Sequence, residues 1–300
     1  MNAAEERAVR IAAVGYDYAA RAIEPVRTCN LCSGADLAEV ACRDRYGYPA
    51  RLLVCRRCGL GFLSPRLTAT EYALFYERVY RPLVSAYHGR RIDAETVQIE
   101  QRGYAAELVA LLRETLPAPP SSVLDVGGST GVVAAAVRDA FGAEGTVLDP
   151  APDELEVAAA AGLETVAGFA EDFDAERRRW ELVLLCQTID HVLDARATLA
   201  SLRRFTANGG HAFIDILDLM IAARNEGSVE GAVKIDHTYY LTYETARGFF
   251  ARAGFEPIAD RLSDDGHWGF VLVPAEPREP DWDRLGEAAR LSLKELREFG

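Results

Sequence analysis

Across residues 121–274 the chain alternates two hydrophobic periods. Short apolar runs at 123–126, 146–148, 164–167 and 181–186 are broken by glycine, aspartate or polar clusters, and the stretches between the first of them carry apolar residues at helical spacing. Such runs read as strands and the longer stretches as helices. The pattern continues with a helix over 198–205, a turn at Ala207-Asn208-Gly209-Gly210, a fifth strand over 210–214, a helix over 242–253 and strands over 255–261 and 269–274. Strands alternating with helices predict an α/β fold, a parallel sheet with helices on both faces. Ligands bind at the carboxyl ends of such strands. That rule gathers Gly127, Asp149, Glu171, Asp172 and the stretch from Cys186 and Gln187 to His191 around one crevice.

The amino-terminal third is patterned differently. Residues 1–26 form an amphipathic or irregular lead. After Pro65, Thr68 or Thr70 can cap a helix carrying Tyr72, Phe75, Tyr76, Val79 and Tyr80. A second helix, from about Asp93 to Leu116, leads into Pro117-Ala118-Pro119-Pro120, a linker composition that marks a boundary. The tail, 282–299, reads as an amphipathic helix that packs or dimerises. The expected division is 1–66, 67–117, 118–275 and 276–300.

Two stretches carry chemistry. Cys29-Asn30-Leu31-Cys32 and Cys55-Arg56-Arg57-Cys58-Gly59 are two C-x-x-C pairs separated by 22 residues. That spacing fits two knuckles holding one tetrahedral Zn²⁺ through four thiolates, a closed and therefore structural site. Cys42 and Cys186 lie outside the pattern and read as small core residues. The second stretch is Asp125-Val126-Gly127-Gly128-Ser129-Thr130-Gly131, followed by a helix and a second strand ending on Asp149. Glycines there let backbone approach a ligand, the helix start offers free N–H groups, and an acid closing the second strand suits the hydroxyls of a ribose. No glycine starts the G-x-G-x-x-G register of nicotinamide or flavin sites.

Composition narrows the setting. Three hundred residues, 49% of them hydrophobic, allow one full α/β domain and a smaller one. No apolar run reaches membrane-span length, and MNAAEERAVR has no signal-peptide core, so a cytosolic protein with no membrane partner is expected. The net charge of −13 is uneven: residues 27–91 hold 11 basic and 5 acidic side chains. That local excess suits a solvated face or an anionic substrate approaching there.

From about 121 to 274 the chain resembles class I S-adenosylmethionine (AdoMet) methyltransferases, whose first motif D/E-x-G-x-G-x-G is matched except at Ser129. ELVLLCQTIDHVLD resembles their fourth strand and LRRFTANGGHAFID the turn into their fifth. CRRCGLGFLSPR and FYERVY ahead of that domain are similar to a zinc-ribbon subgroup that includes deoxysugar C-methyltransferases. The resemblance implies a Rossmann-like, seven-stranded methyltransferase sheet with a small N-terminal zinc ribbon and a helical connector. It implies AdoMet and Zn²⁺ as cofactors and a small-molecule acceptor. Gly127 and Gly131 would pass the methionine part, Asp149 the ribose, and Glu171 or Asp172 the adenine, with Asp125, Gly128, Cys186 and Gln187 completing the cofactor-binding set. KIDHTYYLT puts His237 at the sugar enzymes' general base; His191 would line the acceptor pocket and Tyr80 close it. Two other classes compete: a zinc-ribbon ribosomal RNA methyltransferase, disfavoured by the acidic remainder of the chain, and a non-catalytic AdoMet- or zinc-binding scaffold.

Overall fold

The computed structural model describes residues 2–92 and 94–299, without the side chains of 94 and 95. The expected helix start at Asp93 lies outside the described residues. The chain divides into two compact units, Met1–Val97 with Asp218–Thr242 and Trp282–Gly300, and Gln98–Leu217 with Tyr243–Asp281.

In chain order the first unit begins with α1 (Ala3–Ala13), β1 (Ile23–Glu24), β2 (Leu37–Ala41), β3 (Leu52–Cys55), β4 (Gly61–Leu63), β5 (Arg66–Leu67), α2 (Ala69–Arg78) and α3 (Tyr80–His88). Helix α4 (Ala94–Thr115) carries the chain into the second unit. There follow β6 (Ser122–Val126), α5 (Val132–Phe141), β7 (Glu144–Asp149), α6 (Pro152–Ala160), β8 (Glu164–Ala167), β9 (Trp180–Leu185), α7 (Ala195–Phe205) and β10 (Thr206–Leu217). The chain returns to the first unit for α8 (Leu219–Glu226), α9 (Val229–Ala232) and β11 (Tyr239–Tyr240). It then completes the second with α10 (Tyr243–Ala253), β12 (Phe255–Leu262) and β13 (His267–Pro274), and closes the first with α11 (Trp282–Leu296). Among the described residues no helix is long and apolar enough to cross a membrane.

The second unit is built on a seven-stranded sheet of order β12-β13-β10-β9-β6-β7-β8. Strands β10, β9, β6, β7 and β8 run parallel, and β13 pairs antiparallel with both β10 and β12. Its core strands are apolar on both faces, with Val123, Leu182, Leu184, Phe213 and Val271 packed in one cluster beneath α4 and α5 residues. This is the pattern of a sheet covered on both sides. From β6 the chain winds outward through β7 and β8, then crosses back to place β9 on the other side of β6. The carboxyl ends of β6 and β9 therefore form the topological switch point, where an open α/β sheet has its crevice.

In the first unit, β11, β4, β3 and β2 form a four-stranded sheet. Tyr239 pairs with Phe62 and Tyr240 with Gly61. Segment 218–242 thus belongs with the ribbon, not with the contiguous 118–275 domain read from sequence. A strand of two residues has no period to read; pairing with β4 makes it a strand. Helix α11 buries Leu285, Ala289, Leu293 and Leu296. A Cβ on Gly59 would stand 3.3 Å from the Ala289 Cα, and Arg57 stacks 4.7 Å over the Trp282 ring. The tail packs within its own unit, against the second cysteine knuckle.

Other expectations shift locally. The aromatic helix is two helices, α2 capped by the Thr68 side chain and α3 starting at Tyr80. Pro82 has no N–H for Arg78, so α2 cannot run on, while the first turn of a new helix accepts proline. The turn 207–210 lies inside β10, whose pairing with β9 shifts register between Thr206 and His211. Residues 1–26 contain a capped helix, α1. Cys42, read as core, is exposed, its thiol 3.6 Å from Glu230 Oε1.

Candidate functional site

The loop after β6 is shaped by close approach. Gly127 takes φ +72°, donates its N–H to Leu148 O at 2.7 Å, and has no room for a Cβ, which would sit 2.7 Å from Thr188. A Cβ on Gly128 would meet the Asp125 carboxylate at 2.7 Å, and one on Gly131 would meet Leu163 at 2.4 Å. Ser129 also takes a left-handed φ, 50°, a conformation suited to glycine and strained for serine. Two bonds hold it: its N–H donates to Asp149 Oδ2 and its hydroxyl to Glu154 Oε2, both at 2.9 Å. The departure from the glycine pattern therefore changes the side chain without changing the local backbone hand.

Asp149 ends β7 and is only 7% exposed. Its other oxygen accepts from Ala151 N at 2.8 Å. Burial holds this carboxyl above its ordinary range, opposed by those two amides. Each oxygen keeps acceptor capacity, because an ionised carboxylate has about four lone-pair sites. Asp149 thus shapes the glycine loop as well as presenting an acid at the strand end.

Beneath the loop lies a buried acidic floor that the sequence reading missed in part. Asp125 is 1% exposed, and among the described residues neither of its oxygens has a well-aligned hydrogen-bond partner. Asp215, on β10, is equally buried; its Oδ1 accepts from Gln187 N at 2.6 Å and its Oδ2 from Tyr104 OH at 2.9 Å. Tyr104 and Asp215 were not singled out from sequence, although an aspartate inside the apolar run FIDIL at a strand's carboxyl end was a signal for one. Gln187 carries the left-handed φ of 49° that turns the chain after β9. Tyr104, Asp125, Gly127, Gly128, Cys186 and Gln187 line a cavity of about 20 Å³ at the switch point, room for about one water. Burial, then the charges of Asp125 and Asp215, push the Cys186 thiol well above its usual range, so it serves as a neutral wall.

Burial first, then the Asp149 charge, pushes Asp125 up to about 7; burial pushes Asp215 up to about 6. Both lie above the ordinary carboxyl value of 3.8, so the folded unit binds these protons more tightly than the unfolded chain. The stability they contribute is complete below the unfolded value and is lost as pH rises through about 6 to about 7. The ligand-free melting temperature is expected to fall between about pH 4 and about pH 7, and Asp125→Asn to flatten that fall. An unchanged slope in the variant, followed by calorimetry, would contradict this coupling.

The remaining candidates divide between the units. In the second, Glu171 and Asp172 are both exposed in the turn beyond β8, and Glu171 accepts a hydrogen bond from Thr198 Oγ1. His191 follows β9, its Nε2 3.8 Å from Asp190 Oδ1. In the first, Tyr80 opens α3 with its ring 5.4 Å from that of Tyr76, whose hydroxyl donates to Asp236 O. His237 is 6% exposed; its Nε2 lies 3.3 Å from Lys234 Nζ and 3.7 Å from Asp236 Oδ2. An ammonium only donates, so the imidazole nitrogen facing it accepts.

Also in the first unit, the thiols of Cys29, Cys32, Cys55 and Cys58 are buried and lie within 4.8 Å of one another, with Cys29–Cys58 and Cys32–Cys55 at 3.4 Å. Tetrahedral thiolates around zinc stand about 3.8 Å apart, from Zn–S bonds of about 2.3 Å. The backbone turns as such ligands require. Ser33 N donates to Cys29 O and Gly59 N to Cys55 O, both at 2.8 Å, and Gly34 N points at Cys32 Sγ at 3.4 Å. Four thiolates this close repel unless a cation sits among them, so the donor set and its spacing fit a divalent metal.

A family described as "Methyltransferase domain" matches residues 97–260. No curated protein matches the chain. Among solved structures, the PH0226 protein from Pyrococcus horikoshii OT3 is 18% identical, with 58% of this chain and 91% of that one covered and a TM-score of 0.51. An O-methyltransferase family protein from Burkholderia thailandensis is 17% identical over 61% of this chain and 60% of its own, TM-score 0.49. The CcbJ methyltransferase from Streptomyces caelestis is 15% identical over 57% and 90%, TM-score 0.47. The first of these likenesses shows the fold.

Proposed function

The chain belongs to the methyltransferase-domain family and is an AdoMet-dependent methyltransferase enzyme, and from that premise we propose that it methylates a small, anionic metabolite. The classes that fit are a nucleotide-linked sugar, a saccharide or a natural-product intermediate. The observation that carries the donor assignment is the glycine loop at the switch point, with Asp149 closing β7 beside it. AdoMet bound there supplies a methyl group already activated on a positively charged sulfur. The protein's part is to align and to hold charge. Backbone at Gly127 and Gly131 passes the methionine portion, Asp149 accepts from the ribose hydroxyls, and Glu171 or Asp172 reaches the adenine. Asp125 and Asp215 make the loop floor negative when ionised, and a cationic ligand above them favours that ionised form.

Removing the acceptor's proton falls to His237 in this reading, and His191 and Tyr80 contact the acceptor. The excess of basic over acidic side chains in residues 27–91 supports an anionic acceptor. One structural Zn²⁺ is held by Cys29, Cys32, Cys55 and Cys58.

Asp149→Ala tests the donor site. Loss of charge-assisted hydrogen bonds to the ribose is expected to cost ~1.5–3 kcal/mol of AdoMet affinity. Because Ser129 and Ala151 also lose their acceptor, Asp149→Asn is the milder control. Calorimetric titration showing AdoMet affinity unaffected by the alanine change would refute the assignment.

A further inference from the structure

The amino-terminal ends of two central strands carry a second concavity. Arg179 directly precedes β9, Arg203 and Arg204 lie in the last turn of α7, and Thr206, Ala207 and Asn208 open β10. Together they line a cavity of about 250 Å³. Strands β9 and β10 run parallel, so this is the end of the sheet opposite the glycine loop.

Three arginines line this hollow, and each guanidinium is tethered by a neutral acceptor. Arg179 Nη1 donates to Arg178 O at 2.7 Å and to Glu176 O at 3.5 Å, Arg203 Nε to Gly254 O at 3.0 Å, and Arg204 Nη2 to Ser201 Oγ at 2.9 Å. A guanidinium has five N–H donors, so most of the donor capacity of the three is left over. Arginines in the last turn of α7 complement that helix's dipole. The dipole does not account for Arg179, which comes from another element. In a chain with 46 acidic and 33 basic side chains, three arginines lining one hollow, with no acidic residue among its lining residues, run against the composition.

We propose that this cavity binds the phosphoryl group of a small metabolite, at a site separate from methyl transfer. Planar guanidinium forks match phosphate oxygens in pairs, and three of them match a di- or trianion. The open hollow has room for a pyrophosphate-sized group. A nucleic acid would require an extended basic stripe instead of one hollow.

Titrating the full-length protein with inorganic pyrophosphate, at constant ionic strength set by chloride, tests the site. Saturable binding is expected, weakened about tenfold or more in Arg179→Gln/Arg204→Gln, with AdoMet affinity unchanged in the same variant. Arg203 is kept, since it ties α7 to Gly254. Asn208→Asp provides a second variant that leaves every arginine in place, and its added carboxylate is expected to weaken pyrophosphate several-fold. Equal affinity in wild type and both variants overturns the proposal, as does the absence of saturation. An RNA oligonucleotide binding more tightly than pyrophosphate, with the same dependence on Arg179 and Arg204, overturns the small-ligand assignment. Because AdoMet binding is followed separately, failure here leaves the methyltransferase reading standing.

Discussion

His237→Ala is expected to lower methyl-transfer turnover by ~10²–10⁴-fold, the range associated with losing a positioned general base, while AdoMet affinity stays near normal. The imidazole is almost fully buried, and its surroundings fix it: its Nε2 lies 3.3 Å from Lys234 Nζ and 3.7 Å from Asp236 Oδ2, the Tyr240 ring lies 6.1 Å away, and the backbone N–H of His237 donates to Lys234 O at 3.1 Å. A group held this firmly keeps its geometry between turnovers, which is what a proton acceptor requires. Since AdoMet is already activated, one proton is the chief chemical burden left to side chains. His191→Ala is expected to act more weakly, through acceptor position and therefore mainly on KM. Even a poor surrogate acceptor suffices, because the ratio of the two variants decides. If His237→Ala turns over normally while His191→Ala does not, the roles are exchanged. If both variants are active, proton removal belongs elsewhere.

The second large effect concerns the cysteines. Purified protein is expected to carry close to one zinc per chain, and Cys55→Ser/Cys58→Ser to carry none. Structural zinc contributes roughly 10–16 kcal/mol of apparent binding energy, comparable with the whole stability of a domain, about 5–15 kcal/mol. Loss of the metal should therefore unfold the first unit and not only its knuckles. Strand β3 ends on Cys55, β4 follows two residues after Gly59, and β11 and α11 lean on that framework. Elemental analysis gives the metal count, and circular dichroism of the variant reports the unfolding. Unchanged zinc in the double variant would sink the ligand assignment.

Much of this molecule was legible before any coordinates. Where an element is defined by its own residues, the reading was close: 164–167 is a strand to the residue, α10 starts one residue later than expected, and α4 and β6 lie where the periodicity put them. The glycine loop and the paired cysteines were visible for the same reason. Close backbone approach admits only glycine at given steps, and a metal knuckle dictates its spacing over a few residues. Ser129 shows the limit of the pattern. A serine replaces the expected glycine, yet Asp149 and Glu154 hold it in glycine's conformation, and those bonds reach 20 and 25 residues along the chain.

What the tertiary structure alone decided involves partners distant in sequence. Tyr104 and Asp215 meet across 111 residues, and no period relates a helix position to a strand position that far away. Segment 218–242 has no strand pattern of its own, and only pairing with Gly61 and Phe62 gives it one. Lys234 beside His237 was in plain view as sequence, but its ammonium became part of the imidazole's setting only once the turn folded. The carboxyls of Asp125 and Asp215 are ordinary in the unfolded chain. Burial in one small volume, beneath a loop with no room for side chains, moves their proton affinities toward neutrality. Local sequence determines which backbone shapes are allowed; desolvation and long-range hydrogen bonds exist only after the chain has closed on itself.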